Sequence, residues 1–200
     1  QLAILLEVSG YPKPGNVHRT RDLPGTRYEH FLAGGVAIEP AMRKLALRGF
    51  YAQRTSRWGG VKVGARILEA TENTLHWQRG GNLNMGIILL LAPLAGAAGA
   101  SLYEREAVSA QDLRRVLADV ISSTTPSDAV AVYKAISLAV PSRVLGHVEE
   151  FDVLDKSSIA RIRKGRLTLK EIFEMCANRD SICREWATDF ETTFTVGYPY

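Results

Sequence analysis

The chain has 200 residues, enough for one domain with a sizeable core and too few to demand two. Hydrophobic residues make up 46% and charged residues 23%, which excludes a disordered or low-complexity chain. A net charge of +4, with a pI of about 9.2, is too small for a nucleic-acid coat and suits a pocket for anionic small molecules.

Gln1 to Val8 reads as the end of a first helix, closed by Ser9-Gly10 and by Pro12 and Pro14, which cannot continue it. It is short and lacks the basic flank of a secretory signal, so a cytoplasmic protein is expected. The loop Ser9–Arg21 follows. Lys13 sits between two prolines that stiffen the backbone, and Gly15 lets the chain approach a ligand or take positive φ. Asn16 offers both ends of an amide; His18, Arg19 and Arg21 add one titratable and two permanent cations, and Asp22 a carboxylate. Point charges, forked donors and exposed amides on a stiff turn are what an oligophosphate requires, although incidental charge on a surface connector has the same composition.

Helical signals dominate the remainder. A helix from Thr26 to Ile38 meets Pro40, which either kinks it or starts a second segment ending at Gly49. Val61 to Gln78 carries Val63, Ile67, Leu68, Thr71, Thr74 and Leu75 at helical spacing. Gly80-Gly81 ends that helix. Asn82 and Asn84 then open the long uncharged stretch to Leu102, read as a buried central helix rather than a membrane span. Free N–H groups at its start favour anions, and two asparagines exceed what one cap needs.

Ser109 with Asp112 caps a helix over Ala110–Ser122. Thr125-Pro-Ser-Asp128 starts another that stops at Pro141. Pro141 to Lys164 shows no clean period and is expected to be an ordered crossover, and the run Arg161–Arg166 a solvated face rather than a contact for coenzyme phosphate or RNA. Thr168-Leu-Lys-Glu171 is a capping box opening one helix with a sustained apolar face through Cys176, Cys183, Trp186 and Phe190. Its charges Arg179, Asp180, Glu185 and Asp189 are read as a solvated face. On one straight helix the two cysteines would lie roughly 10 Å apart, which predicts two reduced thiols. No strand pattern or repeat occurs, so the expected class is all-α: a single domain over residues 1–200 with an apolar central helix.

The run Glu7-Val-Ser-Gly-Tyr-Pro-Lys-Pro-Gly-Asn-Val-His-Arg19 resembles the opening motif of the triphosphoribosyl-dephospho-CoA synthase family. Gly81-Asn-Leu-Asn-Met-Gly86 resembles its second motif, and Thr125-Pro-Ser-Asp-Ala-Val130 with Leu145-Gly146 through Asp152 looks like the form of archaeal and related members. His18 stands where better-understood bacterial members have Asp, and Leu83-Asn-Met-Gly86 where they have Thr-His-Lys-Gly. The family usually continues past the equivalent of Tyr200, so the domain's C-terminal end is expected beyond that residue.

The resemblance implies transfer of the triphosphoribosyl group of ATP to the 2′-hydroxyl of 3′-dephospho-CoA, with adenine leaving. Lys13, Gly15, Asn16, Arg19, Arg21, Asn82, Asn84 and Gly86 are then the expected ATP-binding residues. His18, Asp22 and Glu7 are candidates for catalysis, with Glu7 alternatively orienting Lys13. Mg²⁺ is expected on Asp22 and Asp128, because a metal on a triphosphate needs only one or two carboxylates. Nucleotide and CoA-like small molecules are the expected partners, without membrane or nucleic acid, and a homo-oligomer is left open. Two alternatives stay open: a relative using ATP with another acceptor in a coenzyme or pterin pathway, and a non-enzymatic basic module binding RNA or a partner helix.

Overall fold

A computed structural model describes residues 1–104, 107–140 and 151–199. In it α1 (Leu2–Ser9), α2 (Tyr28–Ala37), α3 (Glu39–Thr55), α4 (Val63–Trp77) and α5 (Met85–Glu104) form the first half. The second half comprises α6 (Ala110–Ser122), α7 (Pro126–Ala139), α8 (Lys156–Gly165), α9 (Leu169–Cys176) and α10 (Ser181–Ala187). A 3₁₀ turn at Trp58–Gly60 and a π turn at Thr193–Gly197 complete it. Among the described residues the only β structure is two isolated bridges, so the all-α expectation holds.

α5 lies at the centre, against α3, α4, α6 and α10. By length and composition it is apolar enough to cross a membrane, and 56% of that span is buried within the fold. A Cβ at Gly49 of α3 would collide with the Gly96 carbonyl of α5, and one at Gly99 with the Ala46 carbonyl, so the small residues let two backbones touch. Ile38, Leu45, Ile67, Ile88, Leu117 and Ile121 fill the core around this crossing.

Pro93 sits inside α5 and removes the N–H that would bond the Leu89 carbonyl. The Trp186 indole Nε1–H on α10 donates to that carbonyl at 3.1 Å, and the Trp186 side chain is fully buried. Here a buried aromatic supplies the donor that proline removes.

Three expectations are corrected. Pro40 starts a separate helix that runs past Gly49 to Thr55. The segment from 151 to Lys164 is not irregular throughout, because Asp155 caps α8 through Ser157 N–H at 2.8 Å; residues 141–150 lie outside the described residues.

The third concerns the C-terminal helix, which is broken between Cys176 and Ser181. Asp180 accepts from Cys183 N–H at 2.8 Å and starts α10 in a new direction. That turn brings the Cα atoms of Cys176 and Cys183 to 5.6 Å, and the pair is a disulfide, not two free thiols. Nor is Glu185 on a solvated face. It is buried and accepts from Thr192 N–H (3.2 Å), Thr193 N–H (3.0 Å) and the Thr193 hydroxyl.

Candidate functional site

The loop between α1 and α2 is a chain of three tight turns. Asn16 N–H donates to the Lys13 carbonyl across Pro14-Gly15, with Gly15 at φ +77°, a type II turn in which proline pre-sets one dihedral and glycine supplies the other. His18 and Arg21 exchange both backbone bonds around the second turn. Leu23-Pro-Gly-Thr26 repeats the first, with Gly25 also at φ +77°. Nothing lies within 4 Å of a Cβ built on either glycine, so it is conformation that requires them.

Side chains tie this loop to the helices. Ser9 Oγ lies 2.7 Å from the Tyr28 hydroxyl and closes its root. Lys13 Nζ donates to Glu7 Oε1 at 2.6 Å, so the lysine is held over the end of α1. Asp22 Oδ1 accepts from Tyr28 N–H at 2.9 Å at the start of α2. Asn16 Oδ1 accepts from Val17 N–H at 2.8 Å. His18 is buried inside the loop, its Nδ1 3.1 Å from Thr20 Oγ1 and its ring edge-on to Tyr11. The Arg19 guanidinium stands over the Tyr11 ring at 5.7 Å, and Arg19 and Arg21 are both exposed.

The segment after the first motif touches the turn before the second. Thr26 Oγ1 donates to the Gly80 carbonyl at 3.3 Å, a contact across 54 residues of sequence. Gln78, buried at the end of α4, donates from Nε2 to the Gly81 carbonyl at 2.9 Å and accepts from Gly80 N–H, which fixes the glycine turn. Asn82 Oδ1 caps α5 by accepting from Met85 N–H at 3.3 Å. Asn84 is 1% exposed, and neither its Nδ2 nor its Oδ1 has a hydrogen-bond partner. The amide lies against Gly34 of α2, where a Cβ would collide with Nδ2, and near Thr74, whose Oγ1 is also buried and unpartnered.

Two predicted residues fall elsewhere. Gly86 faces Ile182 of α10, 3.3 Å from where its Cβ would be, and serves helix packing. Asp128 is buried, with Oδ2 accepting from Thr125 N–H (2.9 Å) and Oγ1 (2.7 Å) and Oδ1 accepting from Gly64 N–H (2.9 Å). Gly64 and Thr74 are ten residues apart on α4, so Asp128 is about 15 Å along the helix from Asn84. Its oxygens are committed to a capping box and to the α4–α7 contact. At that end a cleft of about 440 Å³ is lined by Ser127, Arg163 and Arg166, so part of the basic run faces a concavity.

The fit to Mg²⁺ is therefore uneven. Asp128 is buried with both oxygens already hydrogen-bonded, whereas Asp22 is exposed and holds a single backbone bond. Among the described residues no three His, Cys, Asp or Glu side chains cluster as a metal site.

Gln78, Thr74, Thr26 and the Ser9–Tyr28 pair belong to this region and were not legible as site residues. Their contacts are long-range, and the spacing of Thr74 signals only a helix face.

Residues 1–200 match the family model described as ATP:dephospho-CoA triphosphoribosyl transferase (CitG). A crystal structure from Archaeoglobus fulgidus, described as a putative triphosphoribosyl-dephospho-CoA synthase, superposes with a TM-score of 0.56 at 21% identity, over 82% of this chain and 58% of that one. The chain thus spans little more than half of that protein, and the likeness speaks for the fold alone. Comparison with curated proteins finds no match.

Proposed function

The chain belongs to the ATP:dephospho-CoA triphosphoribosyl transferase family, and from that premise we propose that it moves the triphosphoribosyl group of ATP onto the 2′-hydroxyl of 3′-dephospho-CoA. The bond from ribose C1′ to adenine N9 breaks and a bond from C1′ to the acceptor oxygen forms. The hydroxyl proton is lost and adenine leaves carrying one, so the triphosphate stays intact.

The observation that carries this reading is the contact that ties the loop following the first motif to the turn preceding the second. Thr26, four residues past Asp22, joins the end of the loop to the Gly80 carbonyl, and Gln78 fixes that same glycine turn ahead of α5. Lys13, Arg19 and Arg21 supply the charge for a triphosphate, with Gly15, Asn16 and Asn82 shaping the backbone around it. Their work is to hold the donor so that the sugar carbon faces the acceptor. Departure of the base gives that carbon oxocarbenium character, which a nearby carboxylate stabilises. Asp22 is the candidate in this loop, and Glu7 is assigned to orient Lys13. His18 is assigned to shape the loop through Thr20 and Tyr11. Mg²⁺, when bound, neutralises phosphate charge, and Asp22 is the residue with the free oxygen to hold it.

The reading carries with it a cytoplasmic enzyme of nucleotide and CoA-like substrates, with no membrane or nucleic-acid partner. Incubation with ATP, Mg²⁺ and dephospho-CoA should yield free adenine and an adduct heavier than the acceptor by the triphosphoribosyl group. Release of ADP or AMP without adenine would overturn it.

A further inference from the structure

We propose that Asn84 and Thr74 form a socket for one ribose hydroxyl of a substrate, not for a phosphate oxygen. The inference rests on the ATP-dependent reading above and deepens it.

Asn84 and Thr74, which carry three buried polar atoms with no protein partner (Asn84 Nδ2, Asn84 Oδ1 and Thr74 Oγ1), both line one small cavity at the base of α5. A buried polar group left unpaired is costly, so each of these atoms calls for a partner that the protein itself does not supply. The cavity, of about 10 Å³, is also lined by Gly81, Asn82 and Leu83. Gly81 and Asn82, which line it, are themselves exposed, and their turn is tied at Gly80 to Thr26, at the end of the loop that begins with Lys13. The fold makes room for the amide deliberately, since any side chain at Gly34 would strike Nδ2.

Size and chemistry select the ligand. A volume of that order admits one water-sized group, not a base or a whole phosphate. The amide offers a donor and an acceptor, and the threonine hydroxyl is both. A phosphate oxygen only accepts, so it would satisfy Nδ2 and leave Oδ1 facing its lone pairs. An exocyclic amine would satisfy Oδ1 and leave Nδ2 unpaired. A hydroxyl donates to Oδ1 and accepts from Nδ2 or Thr74, and both ATP and dephospho-CoA carry ribose hydroxyls.

The test is calorimetric binding of ATP and dephospho-CoA, each with its 2′-deoxy and 3′-deoxy form, to the full chain. One deoxy form should bind the wild type at least tenfold more weakly than its parent, and the substrate concerned identifies the source of the hydroxyl. Asn84→Leu and Thr74→Val should bring the parent to the level of that deoxy form. The wild-type comparison needs no variant to fold. Equal binding of every deoxy form and its parent would overturn the socket, leaving the cavity to a bound water and the proposed reaction standing. A wild type that binds neither ATP nor dephospho-CoA would overturn both.

Discussion

Replacing Lys13 by alanine separates a ligand-binding loop from a charged surface connector. In the structure the ammonium pairs with Glu7 at 2.6 Å, and the two side chains are 20% and 47% exposed. An ion pair that wet is screened and contributes about 0–1 kcal/mol to stability. For a chain of this size that corresponds to a fall in Tm of roughly 4 °C or less. The loop itself stays closed through Ser9–Tyr28 and through the backbone bonds of its three turns, none of which involves the lysine side chain. Loss of a charge-assisted bond to phosphate costs about 1.5–3 kcal/mol, which weakens ATP roughly ten- to hundredfold. Isothermal titration with ATP and Mg²⁺, beside a thermal melt of the same preparation, reads both quantities. A variant that melts like the wild type and binds ATP far more weakly is the expected result. Unchanged ATP affinity would refute the assignment of Lys13 to the triphosphate, whatever the melt shows.

Other outcomes follow from single contacts. Trp186→Phe orphans the Leu89 carbonyl and should cost about 1–3 kcal/mol in urea unfolding; in a Pro93→Ala background, where an N–H returns, the cost should be smaller by about 1 kcal/mol. Equal costs in both backgrounds would deny the exchange. Reduction of Cys176–Cys183 releases a closed loop with a sequence separation of 7 and should lower stability by about 2 kcal/mol; an unchanged melt in dithiothreitol would contradict the pairing. Burial alone would raise the Glu185 carboxyl, but its bonds from Thr193 and Thr192 outweigh that and hold it below the usual value of 4.5. A depressed folded pKa means that Glu185 adds stability above the unfolded value, lost as pH falls through the folded one. Glu185→Gln should therefore flatten acid unfolding below about pH 4.5, and an unaltered acid limb would show that the carboxylate contributes nothing.

The elements legible in the sequence are those whose signals are local. Thr125-Pro-Ser-Asp128 and Thr168-Leu-Lys-Glu171 cap helices where their side chains predict, and Pro14-Gly15 and Pro24-Gly25 make the turns that proline and glycine together prescribe. The C-terminal break was hidden because Ile182, Cys183 and Trp186 keep a helical spacing across it, while the cap that starts α10 is an ordinary aspartate amid charged neighbours. Asp128 shows the limit at the site. Its sequence context marks a capping carboxylate and leaves open a metal ligand, and only the approach of Gly64 from α4 shows that both oxygens are engaged within the fold. Asn84 is the converse, since a second asparagine suggested a ligand and only its burial without partners points to what kind.

The central claim is that the chain breaks the glycosidic bond of ATP and leaves the phosphoanhydrides whole. Two labels in one incubation with Mg²⁺ and dephospho-CoA test this most directly, one on the adenine ring and one on the γ-phosphate. Adenine label should appear as free adenine in step with transfer of the phosphate label to the acceptor. Phosphate label in orthophosphate or pyrophosphate, with the adenine label still on ribose, would contradict it.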